Sequence, residues 1–189
     1  MTGEQKINET IAQLERIYPE APLALKFKNG LELLIAVILS AQCTDQRVNQ
    51  VTEKLFKKYR SAEDYLKVPI EELETDIRST GFYRNKAKAL RACCRKLIDD
   101  FQGELPREID PMLQLPGVGR KTAAMVLGNA FGLQQGIAVD THVKRVAQRL
   151  ALSAEKNVDK IERDLMAAVP QEKWTWFSNA MILFGRNIC

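Results

Sequence analysis

The sequence has no apolar run long enough to cross a membrane, and it begins without the pattern of a secretory signal. Its longest apolar run, residues 31–41, includes Glu32 and is well short of the roughly 20 residues that a membrane-spanning helix needs. This run therefore predicts a buried core helix. Residues 1–9 are polar and of mixed charge, whereas a secretory signal begins with basic and then apolar residues. We expect a cytoplasmic protein with reduced thiols.

Cysteine and histidine are scarce, with four and one copies in 189 residues. Cys93 and Cys94 are neighbours in a segment with helical periodicity, where successive side chains point about 100° apart. Two such thiols cannot easily close one tetrahedral metal site. The sequence therefore predicts neither a disulfide framework nor a zinc site. His142, the only histidine, is assigned a structural hydrogen-bonding role and no chemical step.

Acidic residues are almost absent from residues 113–150, where Asp140 is the only one. The basic residues of that stretch are Arg120, Lys121, Lys144, Arg145 and Arg149. The net charge of +4 is a weaker indication of an anionic partner, because many proteins without such a partner are equally basic. A second basic run, residues 84–96, alternates with apolar residues at helical spacing and is better explained as a solvated helix face.

Apolar residues recur at three- and four-residue steps along most of the chain, as in Ile7, Ile11 and Leu14. This periodicity predicts an all-α fold of roughly ten short helices. The one alternating apolar stretch, residues 137–139, is too short to form a sheet. The composition marks no domain boundary.

Residues 115–119, Leu-Pro-Gly-Val-Gly, join two predicted helices, the second of which runs from about residue 120 to residue 131. The two glycines permit positive φ and let backbone N–H groups approach a ligand without a Cβ in the way. At a helix start, those groups and the positive end of the helix dipole form an anion site. The alternative is a plain corner between helices, but Arg120 and Lys121 in an acid-poor region favour phosphate. Binding there should depend on salt and not on base sequence.

Lys121 lies in the first turn of the second of these helices. The positive end of the helix dipole and neighbouring Arg120 both disfavour an ammonium ion there. A neutral amine can attack the C1′ atom of a sugar and then hold the opened sugar as a Schiff base, which an arginine cannot do. Judged from its position alone, Lys121 could equally be a lysine that only contacts phosphate or solvent.

Asp140 follows the apolar residues 137–139 and precedes a helical pattern, so it is predicted to cap that helix. Backbone N–H groups would stabilise its carboxylate. As an anion, Asp140 could stabilise the positive charge that develops when a base leaves its sugar, and it could accept a proton from Lys121. The alternative is that Asp140 is a helix cap and nothing more.

Two segments, residues 115–124 (LPGVGRKTAA) and residues 139–143 (VDTHV), resemble the helix-hairpin-helix DNA glycosylases, and closely the endonuclease III family. Residues 40–45 (SAQCTD) and 81–87 (GFYRNKA) are similar to two further family segments, and the likeness runs over nearly the whole chain. The resemblance implies a base-excision repair enzyme that removes oxidised pyrimidines and nicks the strand at the abasic site by β-elimination. By motif position, it implies that Lys121 is the Schiff-base lysine and Asp140 the catalytic aspartate.

The family fold has two α-helical lobes with double-stranded DNA in the cleft between them. By resemblance, the six-helix barrel would span residues 22–132 and the second lobe residues 1–21 and 133–189, which places Lys121 and Asp140 on opposite sides of the cleft. We expect a monomer that binds DNA carrying a damaged base or an abasic site. The DNA-binding residues that the resemblance implies are Gln42, Phe82, Leu115, Gly117, Val118, Gly119, Arg120 and Lys144.

Gln42 and Phe82 have a particular role in this resemblance. An enzyme that extrudes a nucleotide must fill the gap left in the base stack. The family pattern implies that Gln42 fills the gap and that Phe82 is a wedge near the opposite strand, at a position where leucine is common. For Phe82, a place in the core is an equally good interpretation.

The chain departs from the family pattern at residue 189. Family members usually carry a [4Fe-4S] cluster held by four cysteines, and Cys189 looks like the first ligand. Because the chain stops there, we expect this polypeptide to bind no cluster. A monofunctional glycosylase and a non-catalytic DNA-binding module stay open as alternatives. The preferred lesion also stays open, since the base pocket is built from scattered positions.

Overall fold

The computed structural model describes residues 3–189 of the chain. Within those residues it has eleven α-helices and two short 3-10 turns, and it has no β-strand. The predicted all-α fold is therefore confirmed. No helix in the described residues is both long enough and apolar enough to cross a membrane.

The helices and turns follow one another along the chain with short connections. The first six helices are α1 (Gly3–Ile17), α2 (Gly30–Leu39), α3 (Asp45–Lys58), α4 (Asp64–Lys67), α5 (Ile70–Asp76) and, after a 3-10 turn at Arg78–Thr80, α6 (Tyr83–Phe101). The others are α7 (Ile109–Leu113), α8 (Arg120–Phe131), α9 (Thr141–Arg149), α10 (Val158–Ala168) and, after a 3-10 turn at Gln171–Lys173, α11 (Trp174–Asn187).

The chain divides into two compact units. One unit is Ala24–Val126, and the other combines the described part of Met1–Leu23 with Leu127–Cys189. The division falls inside α8. The lobe boundaries that the resemblance implies, residues 22–132 against the two chain ends, stay a prediction, as does the cleft.

The Ala24–Val126 unit is built around α2 and α6. Asn29 caps α2 by accepting a hydrogen bond from the backbone N–H of Glu32 at 2.9 Å. The α2 side chains are buried almost all round, as the sequence predicted for residues 31–41, with Leu33, Leu34 and Ile35 fully inaccessible. Helix α6 packs against α2, α4 and α5, so its position fixes the segments that connect them.

The second unit is organised around the pair α9 and α11. A Cβ added to Gly185 of α11 would lie 2.9 Å from the Cβ of His142, so the two helices meet where no side chain fits. The Ser178 hydroxyl of α11 donates to the carbonyl of Ala138 at 2.8 Å. Helix α11 therefore holds both α9 and the extended segment that leads into it.

Candidate functional site

The turn between α7 and α8 is anchored by two buried side chains. Leu115 and Val118 are 2% and 6% exposed, and the backbone N–H of Val118 donates to the carbonyl of Leu115 at 3.0 Å. Gly117 and Gly119 between and after them are exposed. Of the predicted contact residues in this turn, Leu115 and Val118 can therefore offer a ligand only their backbone.

The two glycines of this turn are needed for different reasons. Gly117 has φ +81°, a left-handed conformation that favours glycine. The turn therefore has the positive φ that the glycines were expected to permit, at Gly117 and not at Gly119. A Cβ at Gly119 would meet nothing within 4 Å, so the absence of a side chain there leaves the approach to the start of α8 open.

Lys121 is the second residue of α8, and its side chain is exposed. The helix begins with a hydrogen bond from the Ala123 N–H to the Gly119 carbonyl at 2.9 Å. The first N–H groups of an α-helix have no partner within the helix. An anion at this helix start would therefore lie beside an exposed lysine.

Asp140 caps α9, as the sequence predicted. Its Oδ1 atom accepts hydrogen bonds from the backbone N–H groups of His142 and Val143, both at 2.8 Å. Its Oδ2 atom accepts no hydrogen bond from the residues that the structure describes. One oxygen thus fixes the carboxylate in place, and the other is left for a ligand or a proton.

The other polar residues of α9 make structural contacts. Nδ1 of His142 lies 3.2 Å from Nη2 of Arg145, and that nitrogen donates to the Gly185 carbonyl at 2.7 Å. These contacts fit the structural role expected of His142. Lys144 is partly exposed on the same helix, and its contact with DNA stays a prediction.

Gln42 and Phe82 share an uncommon backbone. Their φ angles are +52° and +47°, which L-residues other than glycine seldom adopt. Gln42 is exposed and the Phe82 side chain is 64% exposed, so Phe82 is not a core residue. Exposure on this scale is what a wedge in a base stack requires.

The basic run at residues 84–96 is not simply a solvated face. Lys86 is only 6% exposed, and its Nζ donates to the carbonyls of Leu39 and Thr80. Arg91 likewise donates to the carbonyls of Val68 and Leu66. The sequence interpretation was wrong for these two residues because a long basic side chain at a core-facing position can end on backbone carbonyls.

The cysteines do not fit an iron–sulfur cluster. All four are free thiols, and Cys93 and Cys94 are buried in α6. Within residues 3–189 there is no group of three or more histidine, cysteine or acidic residues that could hold a metal ion. The Sγ of Cys189 instead accepts a hydrogen bond from Arg149 at 3.0 Å.

The chain is similar in sequence and in fold to known proteins of DNA repair. A family model for the HhH-GPD superfamily of base excision DNA repair proteins matches residues 35–171. Endonuclease III of Synechocystis sp. is 47% identical over 186 residues, which are 98% of this chain and 85% of that relative. A solved non-covalent endonuclease III–DNA complex has a TM-score of 0.95 at 49% identity and covers 100% of this chain and 88% of its own. A trapped endonuclease III–DNA covalent intermediate has a TM-score of 0.94 at 49% identity, covering 98% and 87%.

The all-α fold, the two-glycine turn and the capped aspartate define a helix-hairpin-helix protein of base excision DNA repair. Within that superfamily, the chain belongs to the endonuclease III family. Enzymes of this family are DNA glycosylases that also act as abasic-site lyases, and the chain is an enzyme of that class.

Proposed function

We propose that this chain excises oxidised pyrimidines from double-stranded DNA and then nicks the strand, with Lys121 as nucleophile and Asp140 as its partner. The observation that carries the proposal is the Asp140 carboxylate, which two backbone N–H groups hold through Oδ1 while Oδ2 stays available. The exposed Lys121 at an open helix start supplies the second group.

The glycosylase step exchanges one bond for another at the sugar. The lone pair of the Lys121 amine forms a bond to C1′, and the glycosidic bond breaks with its electrons leaving on the base. Positive charge develops on the sugar as the base departs, and the Asp140 carboxylate is assigned to stabilise that charge. Asp140 Oδ2 then accepts a proton from the alkylated Nζ and passes it to O4′, as the C1′–O4′ bond breaks and the ring opens to an imine.

The lyase step follows from that imine. The Schiff base makes the C2′ proton acidic, and its removal expels the 3′ phosphate by β-elimination. Water finally hydrolyses the imine and releases Lys121. Both reactions pass through this imine, which a primary amine can form and a guanidinium cannot, and the position therefore requires a lysine and not an arginine.

The turn before α8 is proposed to hold the DNA in register for this chemistry. Backbone N–H groups at the helix start bind phosphate without reading base sequence. The buried Leu115 and Val118 keep the turn in shape, while Gly119 lets the phosphate approach. Arg120 begins the helix that follows this turn, and Lys144 is proposed as a further DNA contact.

The experiment is borohydride reduction during incubation with a duplex that carries an abasic site. We expect a covalent protein–DNA adduct with the wild type and none with Lys121→Ala. Lys156→Ala is a matched control, because Lys156 is exposed and lies outside the proposed site. A duplex with thymine glycol then tests base release, which Asp140→Asn should abolish without loss of binding.

Product analysis separates the alternatives. A monofunctional glycosylase would leave the strand intact until alkali is added, and a binding module would release no base at all. An adduct of equal yield with Lys121→Ala would rule out the assigned nucleophile.

We further propose that the chain acts as a cytoplasmic monomer. The free thiols are consistent with a reducing compartment. In a family member with the complete C-terminal cysteine loop a [4Fe-4S] cluster is expected, and Cys189 is the candidate first ligand in this chain. Iron analysis of active protein and sedimentation with and without DNA test these points.

A further inference from the structure

Lys86 is a buried lysine that joins two separate loops. It lies in the first turns of α6 and is 6% exposed. Its Nζ donates to the carbonyl of Leu39 and to the carbonyl of Thr80, both at 2.8 Å. Burial lowers the pKa of Lys86, and a buried ammonium is tolerated only where strong acceptors face it. These two carbonyls are such acceptors.

The two carbonyls belong to the segments that carry Gln42 and Phe82. Leu39 is the last residue of α2, three residues before Gln42, and Thr80 ends the 3-10 turn two residues before Phe82. Each segment is closed by its own backbone bond, from the Cys43 N–H to the Ser40 carbonyl and from the Lys86 N–H to the Phe82 carbonyl. The Lys86 side chain therefore connects the two backbone segments from which the Gln42 and Phe82 loops begin.

The loops that Lys86 connects hold their tips in left-handed conformations. The φ angles of +52° at Gln42 and +47° at Phe82 are unfavourable for L-residues, and they persist only where the surroundings over-determine them. Both tips are exposed. The backbone of Gln42 and Phe82 is thus held in place, while their exposed side chains are accessible to a ligand.

Arg91 shows what a purely structural contact of this kind looks like. It also lies on α6 and donates to two backbone carbonyls, Val68 at 2.6 Å and Leu66 at 3.2 Å. Leu66 belongs to α4 and Val68 to the connection between α4 and α5, and no DNA contact is predicted for either. Lys86 and Arg91 make the same kind of hydrogen bond, from a basic side chain to backbone carbonyls. They differ in the segments they hold, because only the segments bonded by Lys86 lead to Gln42 and Phe82.

We propose that Lys86 is a positioning residue that fixes the spacing of the Gln42 and Phe82 loops, so that both side chains enter the base stack together when the target nucleotide is extruded. This inference rests on the proposed function and on the roles in the base stack that the family resemblance implies for Gln42 and Phe82. It assigns Lys86 no contact with DNA and no part in the chemistry at Lys121.

The test compares Lys86→Met with Arg91→Met, because each removes one basic side chain and two bonds to backbone carbonyls. Lys88→Met, on the exposed face of α6, controls for loss of charge. Borohydride trapping is measured on an abasic site in a duplex and in a single strand. Only the duplex requires a gap in the stack to be filled.

We expect Lys86→Met to slow trapping on the duplex roughly 10- to 100-fold, as misplacement of a positioning group does, with single-strand trapping close to wild type. Arg91→Met and Lys88→Met should keep the wild-type ratio of the two rates. Combining Lys86→Met with Gln42→Ala and Phe82→Ala should add little further loss, because residues that act through one another are not additive.

Equal losses on duplex and single strand with Lys86→Met, or an unchanged duplex rate, would overturn the inference. If Lys86→Met does not fold, Lys86→Leu, which also removes the donor, goes through the same assays under the same criteria. A wild type that forms no adduct on either substrate contradicts the proposed function instead, so the two failures are distinguishable.

Discussion

Asp140 combines a structural contact and a proposed chemical one in a single carboxylate. Oδ1 accepts hydrogen bonds from two backbone N–H groups at the start of α9. Oδ2 is assigned to accept the proton from Lys121, and the negative charge of the carboxylate is assigned to stabilise the positive charge on the sugar. The two tasks can be separated because asparagine keeps a capping oxygen but loses the negative charge. Alanine loses both.

Asp140→Asn should therefore leave stability close to wild type and abolish base release. Asp140→Ala should abolish base release and also lower the free energy of unfolding by about 1 kcal/mol, the usual effect of losing an N-cap. Urea unfolding and a thymine glycol excision assay measure the two effects. Equal stability of the two variants would contradict the capping role.

At single residues, the sequence predicted the cap at Asp140 but neither the burial of Lys86 nor the backbone conformation of Gln42 and Phe82. Asp140 could be placed at an N-cap because an apolar segment precedes it and a helical pattern follows it. The burial of Lys86 could not be predicted, since its carbonyl partners lie 47 and 6 residues away along the chain. The left-handed φ at Gln42 and Phe82 was equally out of reach, because neither residue type favours it.

The turn before α8 is the element on which DNA binding is proposed to depend. Its two glycines differ, with positive φ at Gly117 and open space outside Gly119. The sequence predicted this turn from its two glycines and the helix after it, but it could not separate their roles.

Gly117→Ala should lower the free energy of unfolding by about 1–2 kcal/mol, because a Cβ disfavours left-handed φ. Gly119→Ala should change stability little, because its Cβ would meet nothing within 4 Å, but it should weaken DNA binding if the phosphate approaches through that open space. Urea unfolding and fluorescence anisotropy with a labelled duplex separate the two effects. If Gly119→Ala binds DNA as tightly as wild type, the phosphate does not approach there.

Helix α6 buries two adjacent thiols. Burial raises the pKa values of Cys93 and Cys94 from 9.0 to about 12. The unfolded chain therefore loses these protons at lower pH than the folded protein does. The stability that the neutral thiols contribute is complete below about pH 9 and declines between pH 9 and pH 12.

We expect the free energy of unfolding to fall above pH 9 by up to about 1.4 kcal/mol per pH unit for each thiol. The double variant Cys93→Ala/Cys94→Ala should be less stable than wild type at pH 8 but should show a shallower decline. Tyr59, whose pKa is also raised to about 12, contributes equally to both proteins. Parallel pH profiles would show that the thiols do not titrate as assigned.

For the whole molecule, the helical periodicity of the sequence was sufficient to predict an all-α fold. The division into two units was not visible in composition, because it falls inside α8 where the apolar pattern continues without a break. The reacting groups are assigned to different units, Lys121 to Ala24–Val126 and Asp140 to the other.

The most direct measurement is the chemical location of the enzyme–DNA bond. Wild-type protein is reduced with borohydride on an abasic-site duplex, digested with protease and nuclease, and mapped by mass spectrometry. We predict that the sugar remnant is attached to the Nζ atom of Lys121, and that Asp140→Asn forms the same adduct more slowly. A remnant on any other amine, or no remnant in a preparation that nicks the strand, would contradict the account.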